Sequence, residues 1–118
     1  VEFSNYGSMF DAQGWGLQVE TCGGAGEVHL GADDDEDLGY TNVFSGTSSA
    51  AAMVAGALGC IQGARKGAGL SPLTPSEARE LLRCKWLGSP QERDDGSPVR
   101  RRIGSRPNLV KMIAAVVE

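Results

Sequence analysis

The sequence predicts an α/β layered fold, and three observations carry that expectation. Seventeen of the 118 residues are glycine, which implies tight turns and close backbone packing. Leu17, Val19 and Thr21 alternate with Gln18 and Glu20, the period-2 pattern of a half-buried strand. Further on, a stretch of small apolar residues from Ser48 to Lys66 reads as a helix with Gly56, Gly59 and Gly63 inside it. Each internal glycine costs about 1 kcal/mol relative to alanine. A neighbouring backbone that comes very close would offset the cost, so this helix is expected to be central and buried beneath a parallel sheet.

The elements follow in order. Residues 1–22 read as strands: Val1 to Ser4 ends one, Asn5-Tyr6-Gly7-Ser8 turns, and Met9 to Gln13 returns to strand. Gly14-Trp15-Gly16 is a turn around an aromatic residue, and Trp15 is read as a packing residue. Residues 23–39 form an acidic loop, opened by a glycine-rich turn from Cys22 to Gly26 that lacks the dinucleotide-binding spacing. Tyr40 to Phe44 is a short strand. A turn and the buried helix occupy 44–66, with Thr47 and Ser48 as good caps, Arg65 and Lys66 complementing the dipole, and Gly67 as the stop. Thr74, Pro75 and Glu77 spell a capping box for a helix over 75–87, whose Ala78, Leu81 and Leu82 face inward and which Gly88 and Pro90 terminate. Residues 89–106 are a polar loop. Pro107 opens a terminal helix over 107–117, with Leu109, Met112, Ile113, Val116 and Val117 on one face. Burial of that stripe contributes roughly 1.5–3 kcal/mol per large side chain.

Composition narrows the function classes. A chain that is 41% hydrophobic and 22% charged is globular, with room for one small domain and a modest core. The formal charge of −4 argues against nucleic acid as the main partner. Arg100-Arg101-Arg102 is offset by Glu92, Asp94 and Asp95, so a solvated loop is expected there. Cys22, Cys60 and Cys84 allow at most one internal disulfide, and buried free thiols are favoured. The apolar run from Ala50 to Ile61 is too short to span a membrane. No signal peptide stands at Val1, and the chain opens without methionine in strand-like sequence, which suggests a piece of something longer.

The chemistry centres on Phe44-Ser45-Gly46-Thr47-Ser48-Ser49-Ala50, continuing through Val54-Ala55-Gly56. A hydroxyl in the first turn of a helix lies beside free N–H groups that attract developing negative charge. By itself the stretch also fits an N-capped helix with a Gly/Ala face packed on a sheet. Its Gly-Thr-Ser-x-Ala core and Val-Ala-Gly tail resemble the active-site serine segment of the subtilisin-like serine peptidases, the subtilases. The resemblance extends to Phe3-Ser4-Asn5-Tyr6-Gly7, Asp11 and Gly14, although many subtilases have Ala-Pro-Gly where this chain has Gln13-Gly14-Trp15-Gly16. The Leu73-Thr74-Pro75 opening and the closing helix are similar too.

The resemblance implies a three-layer sandwich with a mainly parallel sheet, of which these residues form the C-terminal portion. It makes Ser48 the nucleophile of a serine endopeptidase and puts the Ser48 N–H in the oxyanion hole, with Thr47 adding a weak hydrogen bond and Ser45 and Gly46 lining the substrate cleft. The catalytic Asp and His and the oxyanion Asn are expected upstream, in the remainder of the same domain, and the fragment alone is expected to be inactive. Asp11 then has a structural role. Ala52 and Met53 depart from a common proline and a frequent histidine, which bears on helix packing more than on catalysis. Peptides or proteins are the implied substrates, a secreted or extracellular location is favoured, and no cofactor is required. Subtilases often bind calcium, but Asp33-Asp34-Asp35-Glu36-Asp37 fails the EF-hand register and reads as a solvated loop.

Two rivals remain. One is a non-catalytic peptide-binding module derived from a subtilase; upstream Asp-x-Gly and His-Gly segments would count against it. The other is a different serine hydrolase that takes His29, the only histidine, as its base. We expect His29→Ala in the full-length protein to leave peptide hydrolysis nearly unchanged; abolished turnover would favour the rival.

Overall fold

A computed structural model describes residues 4–23, 39–93 and 95–118. The described chain has α/β character, with two short strand pairs and three helices. β1 (Val19–Cys22) pairs antiparallel with β2 (Tyr40–Phe44). Then come α1 (Thr47–Gly67) and α2 (Pro75–Arg83). β3 (Gly88–Ser89) pairs antiparallel with β4 (Arg106–Pro107), and α3 (Leu109–Val117) closes the chain. The expected mainly parallel sheet is not formed among the described residues. Their one parallel pairing is an isolated bridge, Ala12 to Ser105. Met9 to Gln13 is accordingly not a strand: Gln13 N–H donates to Ser105 O at 3.0 Å, while Met9 is 74% exposed.

The core lies where the three helices meet. Ile61 of α1 and Met112 of α3 are wholly buried, with Leu82 of α2 beside them. Val54 and Leu58 of α1, Leu81 of α2 and Leu109, Ile113 and Val116 of α3 pack around these three. At roughly 1.5–3 kcal/mol per fully buried side chain, this cluster is the hydrophobic core of the described residues. Only one stripe of α1 takes part. The expected burial of the whole helix is not seen: Ser49 and Ile61 are its only buried residues, and Gly56, Gly59 and Gly63 face open space. No backbone among the described residues approaches these glycines.

Helix ends explain most of the boundaries. α1 stops in a Schellman motif: Gly69 N–H donates to Lys66 O and Leu70 N–H to Arg65 O, with Gly69 at φ 72°. The left-handed stop is therefore Gly69 rather than Gly67. Arg65 reaches beyond its own helix, donating to Ser71 O at 2.8 Å and to Val116 O at 2.6 Å, among the unpaired carbonyls at the end of α3. Gln62 holds the connection to α2 by accepting from Leu73 N–H and donating to Leu73 O, both at 2.8 Å. α2 opens in a full capping box between Thr74 and Glu77, with Pro75 in the first turn. It ends at Arg83, short of residue 87, because the chain turns over Lys85–Leu87 to bring Leu87 to the core and Gly88 to Pro107. α3 is capped by Asn108, whose Oδ1 accepts from Lys111 N–H; Pro107 belongs to β4, one step outside the helix.

The loops are tied as well. Arg102 donates to the carbonyls of Gly7, Ser8 and Phe10 and accepts through its own carbonyl from Gly7 N–H, so it braces a turn rather than forming a basic patch. Ser97 and Arg93 hold the Asp95 carboxyl down to about 2. Cys22, Cys60 and Cys84 are free; Cys22 and Cys60 are exposed, not buried as free thiols ordinarily are.

The Thr74 amide and hydroxyl hold the Glu77 carboxyl below its ordinary 4.5. A lowered carboxylate stabilises fully above its unfolded value and ceases to as pH falls through the folded one. We therefore expect thermal stability to lose a contribution from the α2 cap as pH drops below 4.5, and Glu77→Gln to flatten that dependence when melting is followed by circular dichroism between pH 3 and 6.

Candidate serine site at the start of the first helix

β2 runs straight into the turn Ser45-Gly46, and α1 begins at Thr47. Neither Thr47 nor Ser48 is the cap. Gly46 occupies that position, with extended backbone and no side-chain capping bond. Ser49 N–H donates to Gly46 O at 3.2 Å, but the Ser48 amide has no backbone acceptor among the described residues. Ser48 is exposed in this first turn, whereas the adjacent Ser49 is buried. No acidic residue stands in the first turn of α1 to offset the positive end of its dipole. Among the described residues, an exposed hydroxyl, an amide without a backbone acceptor and a first turn without an acidic residue thus coincide at Ser48.

The turn rests on the segment 14–18. Gly46 N–H donates to Gly16 O at 2.8 Å. Ser45 Oγ accepts from Gln18 N–H at 3.1 Å and donates to Val43 O at 3.3 Å. Gln18 itself is left-handed, at φ 49°. A Cβ on Gly14 would stand 2.9 Å from Ala50 Cα and nearer still to Ala50 O, so glycine is required for the approach. These contacts bracket Ser48 on both sides. The sequence marks them only as two glycines around Trp15. That residue is not packed in a core: it is 57% exposed, with the Arg106 guanidinium 5.6 Å from the ring centre.

Beside the turn lies an apolar cavity of about 820 Å³, walled by Phe10, Trp15, Leu17, Val54, Leu58 and Leu82, with Thr47 contributing from the site. Ser48 is not part of its wall. Among the described residues no group of three or more His, Cys, Asp or Glu could hold a metal ion. His29 and the acidic run 33–37 lie outside the described residues.

Asp11 is bound to α2. Arg79 Nε donates to one carboxylate oxygen at 2.6 Å and an Arg83 amino group to the other at 3.1 Å. The two arginines are one helical turn apart, a spacing visible in the sequence. Gly104, at φ 89°, lets its loop press against the Asp11–Ala12 backbone, where a Cβ would come within 2.7 Å.

Comparison with known families bears directly on this turn. The model of the subtilase family matches residues 1–100, which contain all of β1, β2, α1 and α2. The chain belongs to the subtilase family. Its lineage is therefore that of the serine proteases among the hydrolases. No curated protein and no solved structure matches this subtilase closely enough to count as a relative.

Asp11→Asn should weaken the tie between the 9–13 segment and α2 while leaving Ser48 exposed. The arginines are about half in solvent, so a loss of about 1 kcal/mol in urea-unfolding free energy is expected.

Proposed function

We propose that this chain is the C-terminal, nucleophile-bearing portion of a subtilisin-like serine endopeptidase domain, with Ser48 as the nucleophile. The observation that carries the reading is the contrast between two adjacent hydroxyls: Ser48 exposed in the first turn of α1, Ser49 buried. The Gly46-Thr47-Ser48-Ser49-Ala50 motif and the family membership support it. In this reading Ser48 Oγ attacks the scissile carbonyl and its proton passes to an upstream histidine; that proton then goes to the amine as the C–N bond breaks, leaving the acyl-enzyme. The Ser48 N–H donates to the oxygen of the tetrahedral intermediate, an upstream asparagine completes the hole, and Thr47 adds a weaker bond. One such donor is worth roughly 10²–10³ in rate. Ser45 and Gly46 lie along the cleft edge. The three-layer, mainly parallel sheet belongs to the whole domain, and the bare face of α1 at Gly56, Gly59 and Gly63 is the surface it would cover.

The full-length protein should react with a serine-directed fluorophosphonate, and mass spectrometry should find the adduct on Ser48. Ser48→Ala should abolish labelling and lower kcat for a peptide substrate by about 10⁶, the scale of removing a triad nucleophile. An adduct on another residue, or full activity in Ser48→Ala, would overturn the reading. The isolated 118 residues should hydrolyse no peptide, because the base is expected upstream.

A further inference from the structure

The first turn of α1 has no side-chain cap, so something else must fix where Ser48 sits. The β1–β2 ladder ends at Val19 and Phe44, and the two segments then continue in contact beyond it. Ser45 Oγ accepts from Gln18 N–H, Gly16 O accepts from Gly46 N–H, and Gly14 lies against the backbone of Ala50. The contacts fall three and two residues before Ser48 and two residues after it. Gln18 is held in the left-handed region, uncommon for a residue with a side chain, and its amide thereby faces Ser45.

We propose that the 14–18 turn is the positioning element for Ser48, acting through Gly14 on the Ala50 backbone, Gly16 on Gly46 and Ser45 on Gln18. The inference rests on Ser48 being the nucleophile. Gly14 and Ser45 are positioning residues, since neither need touch the reacting atoms to act. A methyl group at residue 14 has nowhere to go but into the carbonyl of Ala50, so Gly14→Ala must push the first turn outward. Misplacement of a reacting group by about 1 Å can cost on the order of 10²-fold in rate.

The test uses the full-length protein and a small fluorophosphonate, whose reaction reports on the placement of Ser48 Oγ rather than on recognition of a long substrate. Gly14→Ala should lower both the labelling rate and kcat by about 10-fold or more with KM within about twofold, the signature of a lost transition-state contact. Ser45→Ala, which removes two hydrogen bonds and adds no atom, should act in the same direction if Gly14→Ala does not fold, and Ser45→Thr should restore the rate. Leu109→Ala, which weakens the helical core at a residue that lines neither the turn nor the cavity beside it, should lower the melting temperature yet leave the labelling rate unchanged below the transition. Wild-type labelling at Ser48 together with unchanged rates in folded Gly14→Ala or Ser45→Ala would overturn this inference alone. A wild-type protein that is not labelled at Ser48 would overturn the underlying reading, and this inference with it.

Discussion

The approach of Gly14 to Ala50 is the constraint from which the rest of the site follows. Two backbones lie closer than a side chain at residue 14 would allow, so the segment before β1 packs directly on the first turn of α1. The Gly46–Gly16 hydrogen bond aligns them, and Ser45 closes the far corner. That same segment is secured from behind. Arg102 braces residues 7–10, Arg79 and Arg83 grip Asp11, and Ser105 pairs with Ala12 and Gln13. The start of α1 is thereby tied to α2 and to the loop before β4, around the apolar cavity that lies between them.

The helical core and the serine turn draw on largely different residues, with Leu82, Val54 and Leu58 shared between the core and the cavity beside the turn. The core of Ile61, Leu82 and Met112 lies toward the far half of α1 and fixes the helices against one another. The serine turn, by contrast, is held by the Gly46–Gly16 backbone bond, the Ser45 hydroxyl bonds and the close Gly14–Ala50 backbone contact. A methyl group lost from the core costs stability through a cavity, whereas one added at Gly14 meets the Ala50 backbone at the turn itself. This separation is what lets placement and folding be probed independently.

Local signals in the sequence read well where the residues responsible are neighbours. The Thr74–Glu77 capping box is spelled out within four residues, and the apolar face of α3 follows from helical spacing. The serine turn is legible because glycine, hydroxyls and alanine fall in one short motif. What sequence could not supply depends on distant partners. Gly69 takes the left-handed stop from Gly67 because only there do the last carbonyls of α1 find amides. Asn108 displaces Pro107 as the start of α3 because Pro107 is paired with Gly88. Trp15 looks like a core residue by type, yet Arg106 covers its ring at the surface. The glycines of α1 promise a close neighbour, and the described residues supply none.

α1 is finished at one end and open at the other. Its last carbonyls are met by the amides of Ala68, Gly69 and Leu70, and basic side chains stand beside them. Among the described residues its first amides meet no capping side chain, and no acidic residue stands in its first turn. Among the described residues, the peptide dipoles along its 21 residues are thus answered at the tail and not within the first turn at the head. Such a rod has a built-in polarity: on the proposed reading, negative charge developing at Ser48 would meet an attraction already in place.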